Sequence, residues 1–389
     1  MLDNDPIAAA EPKGRDVQTS KPLDGRFATL DLLRLAAALA VVGFHYLFRG
    51  AAGEPMMDVA YPEAAPVAIY GYLGVHLFFI ISGFVISYSA EGRDWRAFSI
   101  ARFARLYPAF VLCMTATFLV LLVADHPQMS VGAAQYVANL AILSPALGQP
   151  FVDGVYWSIV LEVVFYGWVA LALFLGVFER WKLQLVTGWL ALAALNEIVL
   201  GSGLLRLVLV TEYAPWFAGG VLLQHMSRHG RSAEAVLLFA ASFLLSCAML
   251  PIGRDWMLGH YGQAVPLAAL LGANLLIHGL AIGAVVARDR LATTPTILAL
   301  GGLTYPLYLL HQNIGYVAIE RLAPLIGRWE AALALTIVMI VVSLAIFSFF
   351  ETPARRATAR LATKLADVLG RLVTGAWRRR ETGNEPAAS

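Results

Sequence analysis

Residues 331–350 read AALALTIVMIVVSLAIFSFF, twenty consecutive positions without a charged side chain. A helix of about 20 apolar residues crosses the hydrocarbon core of a bilayer. The whole chain has the same character: of its 389 residues, 59% are hydrophobic and only 14% are charged. Soluble globular proteins carry roughly 25% charged residues, so this composition excludes an ordinary soluble enzyme and a disordered protein. The net charge of +2 provides no basic surface for nucleic acid.

Similar apolar runs recur along the chain. Backbone polar groups must be paired within lipid, and these runs are too long and too uniformly apolar to be barrel strands, so we expect helices. The sequence therefore predicts an all-α polytopic membrane protein, a bundle of about ten transmembrane helices. The division between the fifth and sixth spans is the least distinct. The predicted spans are 28–47, 69–89, 106–124, 155–178, 183–200, 205–225, 233–250, 263–286, 297–319 and 331–350.

The positions of Lys and Arg predict the orientation of the bundle. Most of the 28 basic residues lie in the two terminal segments and in alternate loops, as in short cytoplasmic loops. We therefore expect both termini in the cytoplasm, with a polar tail at 1–26, a membrane domain at 27–353 and a basic tail at 354–389. The outer loop 125–154 contains no Lys or Arg. We expect its apolar centre, 137–143, to turn back towards the membrane.

The cysteines and the N-terminal segment exclude two further features. Cys113 and Cys247 lie inside apolar runs and cannot form a disulfide framework or a zinc cluster, so we expect no metal and no bound cofactor. Residues 1–26 are not a cleavable signal peptide, because the apolar run after them is too long and contains Arg34. The sequence gives no indication of the oligomeric state.

Ionisable side chains inside membrane spans are costly and mark candidate functional sites. In the first span, Arg34 and His45 are eleven residues apart, so both lie on one face of a helix, about 16 Å apart along its axis. In the predicted topology Arg34 lies towards the cytoplasm and His45 near the outer end. We favour a functional pair. The alternative is that Arg34 pairs with Asp31 or extends to the membrane surface, and that His45 is an interfacial histidine.

Three further spans carry titratable side chains that the predicted topology places at mid-depth or in the outer half: His76, Glu162 and His311. Ser158, Glu162 and Tyr166 follow a spacing of four residues and share a helix face. An imidazole oriented by a carboxylate is suited to acid–base chemistry, so we expect these groups to meet near His45. Glu162 as a structural carboxylate is the alternative. A structural role is favoured for Glu197, Glu212 and His278.

On the cytoplasmic side, residues 102–108 read RFARLYP. Arg102 and Arg105, three residues apart at the start of a helix, face the same way and can hold a polyanion through bidentate hydrogen bonds. Anchoring by positively charged residues explains the same pattern. Composition does not separate these two interpretations.

In this order, these elements resemble the acyltransferase 3 family of integral membrane acyltransferases, over residues 26–353. The most specific element is Arg34, ten residues and His45 within LDLLRLAAALAVVGFH. Any one of the others is weak alone, but six in the family's order are specific. The other five are GYLGVHLFFIISGFVIS (71–87), RFARLYP (102–108), YWSIVLEVVFY (156–166), LTYPLYLLHQ (303–312) and FFETPARR (349–356).

The resemblance implies transfer of an acyl group, usually acetyl, from cytoplasmic acyl-CoA to a hydroxyl, in a bacterial inner membrane. Acyl-CoA is then a co-substrate, and the implied acceptors are saccharides or glycosides such as lipopolysaccharide, exopolysaccharide, oligosaccharide signals or macrolides. Partners in polysaccharide assembly are compatible with this. The sequence departs from the family pattern at His76, where many members have Asp. An acidic role for the residue at this position is therefore in doubt. Longer members add an extracytoplasmic domain, which we do not expect after residue 354.

By the same resemblance, His45 matches the family's essential histidine and Arg34 its partner arginine. Glu162 matches the glutamate of the fourth span, and Arg102 with Arg105 matches the arginines of the CoA side. His45 would take a proton from the acceptor hydroxyl or carry the acyl group itself, with Glu162 or His76 orienting it. The predicted substrate-binding residues are Trp157, Tyr305, Tyr308 and His311.

Two other classes of function fit a bundle with buried titratable groups. A transporter or flippase for a glycan or lipid uses His and Glu as proton relays, although the sequence shows no paired halves with matching broken helices. A non-catalytic scaffold in envelope or polysaccharide assembly is the third interpretation. Its test is that replacing His45 or Glu162 leaves the phenotype unchanged.

Overall fold

The computed structural model describes the backbone of residues 27–382 and the side chains of residues 27–368. Every regular element in that range is helical, which confirms the all-α prediction. The α-helices are α1 (Ala28–Leu47), α2 (Ala65–Ala68), α3 (Gly74–Ala90), α4 (Trp95–Ala124), α5 (Ala133–Asn139), α6 (Tyr156–Phe174), α7 (Lys182–Leu195), α8 (Gly203–Leu209), α9 (Ala214–His229), α10 (Ala233–Tyr261), α11 (Leu267–Val286), α12 (Pro295–Gly302), α13 (Thr304–Ile326), α14 (Arg328–Ala345) and α15 (Thr352–Thr382). Turns of 3₁₀-helix cover Arg49–Ala51, Ile69–Leu73 and Ser144–Leu147, and π-helical turns cover Asn196–Leu200 and Ile346–Glu351.

Nine helical segments of the described range are long and apolar enough to cross a membrane, one fewer than the sequence predicts. The difference lies at 297–319, where the chain forms α12 and α13 with a break at Leu303. Most of the first two thirds of α13 is buried, including polar side chains such as His311 and Asn313, so this helix lies inside the bundle. The protein is a multi-pass membrane protein. The number of crossings and the cytoplasmic location of the termini stay predictions.

The boundary between the fifth and sixth predicted spans falls where the sequence placed it. Gly201 adopts a positive φ of 63°, a conformation that favours glycine. Ser202 then caps α8, because its side chain accepts a hydrogen bond from the backbone N–H of Leu205. The sixth span is divided into α8 and α9.

The helices α3 and α9 form the centre of the bundle. In the apolar stretch of each segment that contains them, 72% of the residues are buried, against 17% in the segment that contains α14. Their close approach depends on Gly83 and Gly220: a Cβ on Gly83 would collide with the carbonyl of Phe217, and one on Gly220 with the carbonyl of Ile80. Small residues at helix crossings let membrane helices approach closely.

Replacing Gly83 or Gly220 by alanine is expected to destabilise the fold by about 1–3 kcal/mol, because the added methyl group separates α3 from α9. Thermal unfolding in detergent measures the effect. Gly279→Ala in α11 is the matched control, since a Cβ at that position meets no described atom within 4 Å. Equal midpoints for the Gly220→Ala and Gly279→Ala variants would contradict the assigned contact.

The loop 125–154 turns back along α4, as its apolar centre predicts. The Tyr136 hydroxyl lies 3.0 Å from Thr115 Oγ1, and the Tyr107 hydroxyl donates to the Leu140 carbonyl. Tyr107 precedes the end of α4 by about 25 Å along the helix axis. Non-helical backbone at such depth is found where it is buried in protein or lines a cavity. The stretch that leads into α6 is accordingly buried at Val152 and Asp153.

The two predicted tails differ in what the structure describes. Residues 1–26 lie outside the described range. The basic segment 354–389 begins as α15, which continues α14 through the π-helical turn and packs against α4. Residues 383–389 lie outside the described range.

Candidate active site

Two cavities lie inside the bundle, and Val75 and Tyr308 line both. The first has a volume of about 100 Å³ and contains Arg34, near the start of α1. The second has a volume of about 680 Å³ and contains His45, near the end of α1. The cavities therefore occupy opposite halves of the bundle and adjoin at its middle. We call them the arginine cavity and the histidine cavity.

The arginine cavity brings together the three predicted cationic residues Arg34, Arg102 and Arg105, in agreement with the spacing of the last two. Arg34 Nη1 also donates to Asp31 Oδ1 at 2.9 Å, so the pair considered as the alternative does form. Arg102 Nε is buried and has no hydrogen-bond partner within the described side chains. A buried guanidinium nitrogen requires an acceptor, so this cavity is suited to binding an anion.

Glu162 lies in the arginine cavity, together with Ser158 and Tyr166. Its Oε1 accepts hydrogen bonds from Ser82 Oγ at 2.8 Å and from the Tyr166 hydroxyl. Glu162 does not contact His45 in the described structure, so this expectation is wrong for Glu162. Spacing along α6 predicts the shared face correctly, but it does not predict that this face turns towards the arginines. Here the carboxylate balances part of their charge.

The histidine cavity contains His45, His76 and Trp157. The ring of His76 lies 4.4 Å from that of Trp216 and 5.7 Å from those of Tyr72 and Tyr213. Among the hydrogen bonds of the described residues, none joins His76 to His45. His76 is thus placed on the cavity wall among aromatic rings and does not orient His45 in this structure.

His45 instead contacts His311 of α13. The two rings approach at 3.0 Å between His45 Nδ1 and His311 Nε2. His45 Nδ1 is also 2.9 Å from the Val41 carbonyl, and His311 Nδ1 is 2.9 Å from the Tyr308 carbonyl. His311 is fully buried and belongs to the described lining of neither cavity. It lies behind His45, away from the space that a substrate would occupy.

The three aromatic residues predicted to bind substrate are divided between the cavities. Trp157 lines the histidine cavity and Tyr305 the arginine cavity, where its hydroxyl donates to the Leu106 carbonyl at 3.2 Å. Tyr308 lies between them, with its hydroxyl 2.7 Å from Ser158 Oγ and 3.2 Å from the Val155 carbonyl. These bonds hold Tyr308 as part of the wall between the cavities.

Sequence reasoning missed three polar residues near the histidine cavity. Glu212, interpreted as structural, lines the cavity, as does Gln312 beside His311. Asp153 precedes the predicted fourth span, so the rule that marks ionisable residues inside spans does not reach it. Its carboxylate accepts the backbone N–H groups of Asn313 and Val155 at 3.0 and 3.2 Å, which fixes the non-helical stretch against α13. The structural interpretation of Glu197 agrees with its ion pair to Arg206.

Burial raises the pKa of Asp153 to about 7. The folded protein therefore binds this proton more tightly than the unfolded chain, so stability falls as pH rises from about 4 through 7. We expect the thermal midpoint of wild type to drop by at least about 2 °C more between pH 5 and pH 8 than that of Asp153→Asn. Thermal unfolding in detergent at both pH values measures this. An unchanged drop in the variant would contradict the assignment.

Fold and cavities together define a class: multi-pass membrane proteins in which a cavity lined by arginines adjoins a cavity lined by a buried histidine. The chain belongs to the acyltransferase 3 family: the family model, described as an acyltransferase domain, matches residues 27–348. This confirms the family resemblance of the sequence and makes the protein a membrane acyltransferase.

Two curated relatives match most of the chain at low identity, and a third matches about half of it. Nodulation protein 10 of Rhizobium leguminosarum bv. viciae is 23% identical over 88% of this chain and 97% of the relative. The exopolysaccharide production protein ExoZ of Rhizobium meliloti (strain 1021) is 27% identical over 76% of this chain and 95% of the relative. The peptidoglycan O-acetyltransferase OatA of Listeria monocytogenes is 28% identical over 47% of this chain and 28% of the relative. No experimentally solved structure matches the chain.

Proposed function

We propose that this membrane acyltransferase moves an acyl group, acetyl as the expected one, from acyl-CoA to a hydroxyl of a saccharide or glycoside. One observation carries the proposal: the arginine cavity and the histidine cavity adjoin at Tyr308. A polyanionic donor held at one end and a reactive imidazole at the other then lie on a single path.

The donor end is the arginine cavity. Guanidinium groups bind phosphate oxygens in a bidentate manner, and Arg102 Nε has an unused donor there among the described groups. Its small volume of about 100 Å³ suits the slender thiol arm of CoA. The arm then has to extend past Tyr308 to bring the thioester to His45.

The reacting group is His45. With Nδ1 turned to Val41 and His311, Nε2 is the nitrogen that faces the histidine cavity. It takes the proton of the acceptor hydroxyl while the oxygen attacks the thioester carbonyl, and the departing thiolate of CoA recovers that proton. Alternatively, Nε2 attacks the carbonyl and carries the acyl group to the acceptor.

The acceptor end is the remainder of the histidine cavity. Its volume of about 680 Å³ lies in the usual range for small-molecule sites. Trp157, Tyr213 and Trp216 provide flat apolar walls, and Glu212 a polar group, which together suit a sugar ring. Relatives named for exopolysaccharide production and for peptidoglycan O-acetylation support a glycan acceptor. In a bacterial inner membrane the donor side would face the cytoplasm.

The test uses membranes that contain the protein, supplied with acetyl-CoA labelled in its acetyl group. We expect release of free CoA and entry of label into extracted glycans or glycolipids. His45→Ala membranes, with the protein present at equal amounts, are expected to show neither.

Two other outcomes identify the alternatives. If no acyl-CoA releases CoA but vesicles that contain the protein move a glycan or lipid across the bilayer, the transporter interpretation replaces this one. If a polysaccharide phenotype that depends on the protein is unchanged in His45→Ala, the scaffold interpretation replaces the acyltransferase proposal.

A further inference from the structure

The pair of His45 and His311 has a defined arrangement of protons. Carbonyl oxygens only accept hydrogen bonds, so the nitrogen beside each carries the hydrogen. His311 Nδ1 lies 2.9 Å from the Tyr308 carbonyl and 3.1 Å from that of Leu307, and it is therefore the protonated nitrogen of a neutral ring. The lone pair of His311 is on Nε2, which faces His45.

The same argument applies to His45. Its Nδ1 lies 2.9 Å from the Val41 carbonyl and 3.0 Å from His311 Nε2. The hydrogen on Nδ1 is thus shared between two acceptors, and the lone pair of His45 is on Nε2. Nδ1 is committed to Val41 and His311, and the ring also interacts with the Gln312 side chain of the cavity wall, which an acceptor hydroxyl would replace at Nε2.

From this geometry we infer that His311 is the positioning residue of the acyl transfer: its Nε2 accepts the Nδ1 proton of His45 and holds the His45 ring in its reactive tautomer. This rests on the proposed function and deepens it, since the sequence interpretation gave this task to Glu162 or His76. A carboxylate usually has this role beside a catalytic imidazole, and here a neutral imidazole occupies the place.

His311 Nε2 acts on the Nδ1 proton of His45 in both routes of transfer, as a hydrogen-bond acceptor in the first and as a proton acceptor in the second. In direct transfer, His45 Nε2 takes the acceptor proton, and the resulting imidazolium is stabilised by donation from Nδ1 to His311. In the relay, attack of Nε2 on the thioester expels the thiolate and leaves an acyl-imidazolium, whose Nδ1 proton moves to His311 Nε2. After the acyl group passes to the acceptor oxygen, the proton returns to Nδ1 and the hydroxyl proton goes to the thiolate.

The surroundings of His311 support a fixed position. Its side chain is fully buried, and the Tyr46 hydroxyl donates to its backbone carbonyl at 3.0 Å. Asp153 accepts the N–H of Asn313 two residues further along α13. The helix turn that carries His311 is therefore held from two sides, so its Nε2 cannot move away from His45 without breaking buried hydrogen bonds.

The first experiment compares kinetics of His311→Leu and His311→Gln with those of wild type. Leucine removes the acceptor, and we expect kcat to fall about 100-fold with the KM values for donor and acceptor near those of wild type. Glutamine offers a carbonyl oxygen near the position of Nε2, so we expect partial recovery of kcat. His278→Leu is the matched control, because that histidine is also buried and bonded through Nδ1 to a carbonyl, that of Asn274, outside both cavities.

Raised KM values with unchanged kcat in His311→Leu would overturn the inference, and so would a glutamine variant no better than the leucine variant. A purely structural role predicts equal losses in the His311→Leu and His278→Leu variants.

The second experiment does not depend on activity. Solid-state NMR of ¹⁵N-histidine-labelled protein in lipid should show a nitrogen–nitrogen correlation across the hydrogen bond from His45 Nδ1, absent in His311→Leu and retained in His278→Leu. Absence of the correlation in wild type overturns the inference. If the correlation is present while no acyl-CoA is turned over, the pair stands and the proposed function fails.

Discussion

Replacing His45 by alanine is expected to lower acyl transfer by about 10³-fold or more. A positioned acid–base group contributes roughly 10²–10⁴-fold to a rate, and in the relay route the loss is complete because the acyl carrier is absent. The measurement is label transfer from acetyl-CoA in membranes with matched amounts of protein. Binding of CoA should change by less than about twofold, because the arginine cavity lies in the other half of the bundle.

The matched control for this variant is His229→Ala. That side chain is exposed at the end of α9 and contacts neither cavity within the described structure. Activity that survives in His45→Ala, or falls equally in both variants, would remove His45 from the chemistry. A parallel loss of CoA binding would show instead that the alanine variant disturbs the bundle.

Replacing Arg102 and Arg105 together by alanine is expected to weaken CoA binding by about 100-fold or more. A hydrogen bond to a charged group contributes about 1.5–3 kcal/mol, and 1.4 kcal/mol corresponds to a tenfold change in affinity. Calorimetric titration of the purified protein with CoA measures the loss. At saturating acyl-CoA, the rate should recover substantially, because His45 and its partner are intact.

The control is the double variant Arg93→Ala with Arg96→Ala. It removes the same charge from the same end of the bundle, but both side chains are exposed and outside the arginine cavity. If the double variant at Arg102 and Arg105 binds CoA as wild type does, the arginine cavity is not the donor site. An equal loss in both double variants would indicate general charge attraction instead of a built site.

The sequence predicts the helical bundle because apolar length and the pairing of backbone groups in lipid leave few alternatives. It also predicts the separation of Arg34 from His45, since both are on one helix and the rise per residue is fixed. Arg102 and Arg105 share a cavity for the same reason. Each of these predictions uses geometry within a single helix.

What the sequence does not predict is the rotation of one helix against another. Glu162 is on the expected face of α6, but that face turns to the arginines and not to His45. His311 meets His45 as expected, but it is placed behind His45 instead of on the cavity wall. The Asp153 contacts depend on a loop that returns into the bundle, and no periodic pattern marks such a loop.

The position of Tyr308 between the two cavities bears on proton leakage across the membrane as well as on catalysis. If the arginine cavity and the histidine cavity were connected in the absence of substrate, protons could cross the membrane along the electrochemical gradient. The side chain of Tyr308, whose hydroxyl is held by Ser158 and Val155, lies between the two cavities. Under the proposed function the thiol arm of the donor has to displace this side chain, and by filling its place the arm would keep the two cavities separated through each turnover.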